Sequence, residues 1–238
     1  MGFGFGGVGF LKAGHLTVYT EKDGVPGGSV NQLLLDRDGT LWIATNSGLA
    51  RLRGGHCESV AGDVIDRVRS LALDKTGALW VQTVDRVFVR AAGQRGFRET
   101  GGLAAAETFR GVSSRLGVAP DGSVWAAFPN TMLIFAGLQA RSTTVTRLKG
   151  GYAPLMFDRD GNLWARKEGA LYRWENSRLI SERAATLADI EKRSEPRGFR
   201  SDSDETYITS LFEDREANVW VGTHTGVDRY SRSTVRPI

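Results

Sequence analysis

The sequence contains few of the residue types that carry most enzyme chemistry. Its 238 residues include one cysteine, three histidines and three methionines. The single cysteine, Cys57, excludes an internal disulfide and cannot form a zinc site alone. Hydrolase and metalloprotease spacings such as G-x-S-x-G and H-E-x-x-H are absent, as is a phosphate-binding glycine loop. We therefore predict that the chain is not an enzyme, with no catalytic residue, no metal and no cofactor.

Long apolar runs and charged blocks are missing as well. No run approaches the roughly 18 residues that a membrane span needs, and MGFGFGGVGF at the start lacks the pattern of a signal peptide. The 31 basic and 27 acidic residues are interspersed along the chain, so the net charge of +4 does not indicate nucleic-acid binding. The 30 glycines are instead typical of short strands joined by many turns.

One motif recurs five times and organises the sequence. Each copy ends in a tryptophan, with successive spacings of 38, 45, 39 and 56 residues. The five residues are Trp42, Trp80, Trp125, Trp164 and Trp220. A period near 40 with a strand, turn and strand in each copy predicts an all-β fold, a β-propeller of four-stranded antiparallel blades.

The fixed residues of the motif are interpreted as scaffold. Four copies have a glycine three places before the tryptophan, namely Gly39, Gly77, Gly122 and Gly161. Glycine supplies the positive φ of a tight hairpin, and the neighbouring aspartates can bond their own backbone. The indole is expected to fill the space between adjacent blades, so we predict structural packing and no ligand stacking for these tryptophans.

The copies divide the chain, read as a single propeller domain or a fragment of one, into about six blades. Residues 1–20 align with residues after Trp42 when shifted by 41 places, which predicts a partial first blade without its inner strand and a fragment of a longer protein. Residues 181–205 are polar and are expected to form an inserted loop. The other blades are predicted at 30–60, 65–100, 112–148, 150–180 and 206–238.

The segment Asp36 to Arg51, DRDGTLWIATNSGLAR, and its copy from Asp214 to Arg229 resemble the two-component regulator propeller repeat. In that family the repeats form the extracytoplasmic sensor region of hybrid histidine kinases and related bacterial receptors. The resemblance implies periplasmic or extracytoplasmic localisation, a membrane-anchored kinase or cyclase module in the full receptor, and a dimer in that context. It transfers architecture and no catalytic residue.

Three functional interpretations remain open at this point. The first is a sensor region that binds a polar small molecule or oligosaccharide without catalysis. The second is a free-standing propeller that recognises a protein. The third is a propeller enzyme similar to streptogramin lyases, which have a related D-G-x-x-W turn and use histidine chemistry. His15 and His56 are expected at the surface, which leaves His224 as the only candidate base.

Ligands of propellers bind at the face formed by the turns after the tryptophan strands and by the connections between blades. We therefore predict that the variable turn residues form one polar ring that contacts the ligand. The ring comprises Asn46, Ser47, Asp85, Arg86, Asn130, Thr131, Lys167, Glu168, His224 and Thr225.

Overall fold

The computed structural model describes residues 1–60, 65–102, 115–128, 131–139, 142–146, 155–167, 170–174, 208–223 and 226–231. Within these ranges the secondary structure consists of 20 strands and one 3-10 turn, Glu21–Asp23, with no α-helix. The all-β class predicted from the motif is therefore confirmed. No helix in the described ranges is long and apolar enough to cross a membrane.

The strands form six antiparallel sheets in chain order, and each sheet is a simple meander. The first sheet has two strands, β1 Val8–Lys12 and β2 His15–Tyr19. The second has four: β3 Val30–Leu35, β4 Leu41–Thr45, β5 Gly48–Arg53 and β6 His56–Ser59. The third also has four: β7 Ser70–Leu73, β8 Leu79–Gln82, β9 Arg86–Arg90 and β10 Arg98–Gly102.

The remaining three sheets repeat the same order. The fourth contains β11 Arg115–Val118, β12 Val124–Ala127, β13 Thr131–Phe135 and β14 Thr143–Thr146. The fifth contains β15 Leu155–Phe157, β16 Leu163–Lys167 and β17 Ala170–Trp174. The sixth contains β18 Ile208–Glu213, β19 Val219–Thr223 and β20 Val227–Tyr230. The predicted loop at 181–205 lies outside the described residues.

The chain divides into two compact units, residues 1–116 and residues 117–238. The first sheet lies in the first unit, and its pairing of Lys12 with His15 matches that of Arg53 with His56 in the second sheet, 41 residues on. His15 and His56 are both exposed, as expected. Cys57 is a free thiol with only 6 % of its surface exposed. Burial raises its pKa, so this thiol is a poor nucleophile.

The hairpin between the first two strands of each repeat has the turn that the sequence predicts. The Asp36 N–H donates to the Thr40 carbonyl at 2.8 Å, and the Gly39 N–H donates to the Asp36 carbonyl at 3.1 Å. Gly39 has a φ of 83°, in the left-handed region that glycine adopts without strain. Ala217 takes the glycine position in the last repeat with a φ of 65°. The motif glycines are therefore explained by backbone geometry.

The aspartate six places before the tryptophan also holds the indole. Trp80 Nε1 donates to the Asp74 carboxylate at 2.8 Å, and that carboxylate also accepts from the Thr76 and Ala78 N–H groups. The same indole bond joins Trp42 to Asp36, Trp164 to Asp158 and Trp220 to Asp214, at 2.7 to 3.2 Å. Each acid thus closes its turn and fixes the neighbouring strand's largest side chain.

These hydrogen bonds favour the charged form of the carboxylates. Burial opposes ionisation of Asp74, but the bonds from Thr76, Trp80 and Ala78 outweigh it and lower its pKa below the ordinary value. At Asp214 desolvation raises the pKa, but the hydrogen bonds from Asn218, Trp220 and the Glu216 N–H together outweigh it and lower the pKa to about 2. Asp74 and Asp214 are therefore ionised at neutral pH.

In the third repeat a serine, and not an aspartate, accepts the hydrogen bond of the indole. Ala119 stands at the acid position, and Trp125 Nε1 instead donates to the Ser123 hydroxyl at 2.9 Å. Asp121 accepts from both the hydroxyl and the backbone N–H of Ser123. Ser123 and Trp125 are both buried, so the indole N–H has no access to water as a substitute partner.

Replacing Ser123 with alanine is expected to lower the free energy of unfolding by about 1 kcal/mol, because the buried Trp125 N–H loses its acceptor. Urea denaturation followed by tryptophan fluorescence measures the change. Adding Ala119→Asp to the Ser123→Ala variant restores a carboxylate at the position used by the other repeats. Failure of this second substitution to recover stability would show that the indole hydrogen bond is not the cause.

Three of the tryptophans pack against an aromatic ring from the next repeat within their unit. Trp42 meets Phe97, the residue before β10, edge to face, with ring centroids 6.2 Å apart. Trp125 contacts Phe157 in the same manner at 5.2 Å, and Trp164 lies 6.3 Å from Tyr230. Four of the five tryptophans are buried. Trp220 is an exception, since it is only half-buried, with the Arg229 guanidinium over its ring at 5.8 Å.

Candidate functional site

One end of the sheets in the first unit brings together the turns after the tryptophan strands and the starts of the innermost strands. Val30, which begins β3, pairs with Thr45 at the end of β4, and the Asn46 N–H donates to the Ser29 carbonyl at 3.1 Å. In the third sheet the Arg69 N–H donates to the Gln82 carbonyl at 2.8 Å. The variable turns predicted to bind ligand are thus adjacent to residues that begin β3 and β7.

A β-bulge positions Asn31 at this end. The pairing register between β3 and β4 shifts between Val30 and Gln32, so Asn31 has no partner in the ladder. A bulge bends its strand and re-aims a side chain. Asn31 Nδ2 donates to Asn46 Oδ1 at 2.9 Å and to the Val68 carbonyl at 2.7 Å. The residue therefore links the second sheet to the segment that precedes β7.

Two arginines complete the group. Arg69 Nη1 donates to Asn46 Oδ1 at 2.9 Å, and Arg115 Nη1 donates to the Arg69 carbonyl at 2.9 Å. We refer to Asn31, Asn46, Arg69 and Arg115 as the strand-start cluster. Arg69 and Arg115 are both half-buried. Among the described residues, neither guanidinium group forms an ion pair, and the Arg69 Nε has no hydrogen-bond partner although it is buried.

The electrostatics of the cluster are unbalanced. Burial lowers the pKa of Arg115, and the positive charge of Arg69 lowers it further. An arginine still remains charged at neutral pH, because its ordinary pKa lies above 12. The cluster therefore holds two neighbouring positive charges with no described carboxylate paired to either.

The segment before β3 passes close to Asn46 of this cluster at a glycine, Gly28. Gly28 has a φ of 78°, and a Cβ added there would lie 3.0 Å from the Asn46 Cβ. A larger residue would push on the asparagine that accepts hydrogen bonds from both Asn31 and Arg69. The connection before β3 thus helps to hold Asn46 in place.

The other predicted ring residues of the first unit have local partners. The Ser47 N–H donates to Thr45 Oγ1 at 3.2 Å. Asp85 Oδ1 accepts from Thr83 Oγ1 at 3.0 Å, and Arg86 Nη1 donates to Glu99 Oε2 of β10 at 3.1 Å. Asp85 thus shapes its own turn, and Arg86 is engaged by the outermost strand of its sheet.

In the second unit the structure describes two of the predicted ring residues. Thr131 begins β13 and has 4 % of its surface exposed, so its side chain is covered. Lys167 ends β16, where its backbone pairs with Ala170. Asn130, Glu168, His224 and Thr225 lie outside the described residues. The single ring therefore stays a prediction. Of its predicted residues, Asn46 belongs to the strand-start cluster.

Asn31, Arg69 and Arg115 were missed by the sequence prediction. Asn31 and Arg69 lie eleven places before Trp42 and Trp80, and Arg115 lies ten places before Trp125. Each of the three lies at or next to the start of the first strand of its sheet, ahead of the apolar run of that strand. A comparison of the copies at these two columns would have shown polar residues entering an otherwise apolar strand, which is the signal that identifies them.

A cleft of about 510 Å³ lies at the opposite end of the same two sheets. Its lining includes Asp36, Arg53, His56 and Arg90. The acids here are neutralised: Arg90 pairs with Asp36 at 3.4 Å, Arg53 pairs with Asp38 at 3.3 Å, and Arg51 pairs with Glu58. Arg90 also covers Trp42 at 4.7 Å from the ring centroid. The acids and arginines named here are therefore paired with one another within the fold.

Comparison with known proteins supports the propeller fold. Virginiamycin B lyase from Staphylococcus aureus matches 96 % of this chain over 78 % of its own length, with a TM-score of 0.68 and 13 % identity. The extracellular domain of a one component system from B. thetaiotaomicron matches 98 % of this chain over 34 % of its own length, with a TM-score of 0.68 and 17 % identity. The fold is therefore that of a β-propeller.

A second comparison is with a hybrid two component system of B. thetaiotaomicron. Its extracellular domain matches 98 % of the chain over 32 % of its own length, with a TM-score of 0.67 and 15 % identity. The chain thus spans about a third of the length of these two signalling domains. Residues 24–47 match the two component regulator propeller family, which confirms the resemblance noted at Asp36 to Arg51. No curated protein sequence matches the chain.

Proposed function

We propose that this propeller is the ligand-sensing region of a bacterial two-component signalling receptor and binds a polar small molecule or oligosaccharide without catalysis. The observation that carries the proposal is the strand-start cluster. It places amide and guanidinium groups at the end of the sheets where propeller ligands bind. Its two asparagines lie within residues 24–47, the segment that matches the regulator propeller family.

The wider receptor context belongs to the same proposal. Extracellular domains of signalling systems share the fold over nearly the whole chain, which supports an extracytoplasmic location. A membrane-anchored kinase or cyclase module would carry the signal onward, with the receptor as a dimer. A ligand shifts such a receptor only by its different affinity for two states, so the sensing surface must contact an element that changes between them.

An enzyme similar to virginiamycin B lyase is the second candidate, and the shared fold is the observation in its favour. A related structure of that lyase carries quinupristin. The only candidate base from the sequence, His224, lies outside the described residues. Conversion of quinupristin by the chain, followed by liquid chromatography, would establish the enzyme interpretation and contradict a purely binding role.

A protein-interaction module is the third candidate, and the first sheet favours it. Leu11, Leu16 and Val18 lie on one face of this two-stranded sheet and are 45 to 61 % exposed. Exposed apolar groups of this kind are typical of association surfaces. If this sheet rather than the strand-start cluster carries the function, Leu16→Ser would abolish partner binding while cluster variants leave it intact.

The binding proposal is tested by a thermal-shift screen of the 238-residue chain against neutral and acidic mono- and oligosaccharides. A ligand that binds only the folded state stabilises it by RT ln(1 + [L]/Kd), so the melting temperature rises with ligand concentration. We expect such a shift in the wild type, its loss in Asn46→Ala, and its retention in Arg53→Gln, which alters the opposite cleft. A shift that is lost only in Arg53→Gln would place binding in the cleft and contradict the proposal.

A further inference from the structure

We propose that the strand-start cluster binds an oxoanion, namely a carboxylate, phosphate or sulfate group of the ligand, through the guanidinium groups of Arg69 and Arg115. The inference rests on the proposed function, because it names the chemical class of the group that the same site recognises. It is narrower than the proposed function, because a polar ligand need not carry a negative charge.

The first argument is the number of unused donors. An arginine carries five N–H donors in a planar fork that matches an oxoanion. Among the described residues, the Arg69 side chain donates one hydrogen bond, to Asn46, and the Arg115 side chain donates one, to the Arg69 carbonyl. The Arg69 Nε is buried and has no partner there. Most donors of the pair therefore have no protein partner among the described residues.

The second argument is charge. Arg69 and Arg115 carry like charges in a half-buried environment; burial lowers the pKa of Arg115, and the charge of Arg69 adds a smaller contribution in the same direction. In contrast, five other arginines of the first unit form ion pairs with carboxylates, namely Arg51, Arg53, Arg67, Arg86 and Arg90. An anion between Arg69 and Arg115 would remove the repulsion.

The third argument is preorganisation. Asn46 Oδ1 accepts from both Asn31 and Arg69, so the Arg69 fork is held by a side chain that is itself fixed. Arg115 is anchored to the backbone of Arg69 by its own Nη1. A purely structural link at these positions needs only a neutral donor such as glutamine. The two charged guanidinium groups are explained by a negatively charged ligand group that binds without rearrangement of the site.

The test is isothermal titration calorimetry of the 238-residue chain with inorganic phosphate, inorganic sulfate, and the matched pair glucuronate and glucose. We expect glucuronate to bind more tightly than glucose, and the affinity for all three anions to fall with added sodium chloride. Arg69→Gln and Arg115→Gln should each weaken phosphate binding by about tenfold or more, since each removes a charge-assisted contact. Arg53→Gln removes the same charge elsewhere and should leave the affinity unchanged.

A second measurement keeps the proposal falsifiable if a variant misfolds. In the wild-type chain, titration with phosphate should shift the Nε–Hε NMR signals of Arg69 and Arg115 and leave that of Arg53 in place. Equal phosphate affinity in wild type, Arg69→Gln and Arg115→Gln would overturn the inference. Binding of glucose or a neutral oligosaccharide at Asn46 with no anion effect would also overturn it, while leaving the proposed sensing function intact.

Discussion

Replacing Trp80 with alanine lowers the free energy of unfolding by about 3 to 5 kcal/mol, the largest loss that we expect from any single substitution in this chain. The side chain is fully buried, and its indole N–H donates to Asp74 at 2.8 Å. Alanine removes the apolar contacts of the ring and leaves a cavity that the surrounding strands can fill only in part. The Asp74 carboxylate also loses one of its donors.

Urea denaturation of the 238-residue chain measures this loss, with Trp220→Ala as the matched control. Trp220 makes the same hydrogen bond to an aspartate but is only half-buried, so its truncation should cost clearly less. Comparison of the two variants separates the cavity from the hydrogen bond. An equal loss in both would contradict the idea that burial between sheets is what makes these tryptophans important.

Replacing Asp74 with alanine is expected to cost about 3 kcal/mol, at the upper end for hydrogen bonds to a charged group. The carboxylate is 5 % exposed and accepts from the N–H groups of Thr76 and Ala78, from the Thr76 hydroxyl and from Trp80. These donors would lose their acceptor together. The control is Asp66→Ala, which removes an exposed carboxylate of equal charge and should change stability little.

The cost of Asp74→Ala should also depend on pH. The folded state lowers the pKa of Asp74 below its ordinary value of 3.8, so this carboxylate stabilises the fold at pH above that value. The contribution disappears as the pH falls through the lowered pKa of the folded state. The difference between wild type and Asp74→Ala should therefore shrink in acid below about pH 4. A difference that stays constant down to pH 2 would show that the charge of Asp74 is not involved.

The repeat made the scaffold predictable. The spacing of the tryptophans and the glycine three places before them specify a hairpin of fixed length, and Gly39 adopts the positive φ that the prediction requires. The packing of Trp42 against the next sheet follows from the same pattern, because large apolar side chains on a strand must be covered. These features depend on residues within one repeat, or on one repeat and its neighbour.

Other features could not be derived in this way. The hydrogen bond from the Trp80 indole to Asp74 was missed because turn formation alone already accounted for the aspartate. The half-buried state of Trp220 depends on what surrounds its sheet and not on its own repeat.

The strand-start cluster was missed for a related reason. Its residues come from three repeats and meet only through the order of the sheets and the bulge at Asn31. Pattern matching among copies emphasises what is constant, whereas this cluster consists of residues that differ among copies.

The bulge at Asn31 has a counterpart at Thr209, where the register between β18 and β19 shifts between Ile208 and Ser210. Both residues lie eleven places before the tryptophan of their repeat. Because a bulged residue makes no ladder pair, exchanging its side chain leaves strand register and hairpin geometry unchanged. Selection can therefore act on such positions separately from folding. A propeller built this way can change its surface by substitution at a few bulges, while the repeats that hold it together stay as they are.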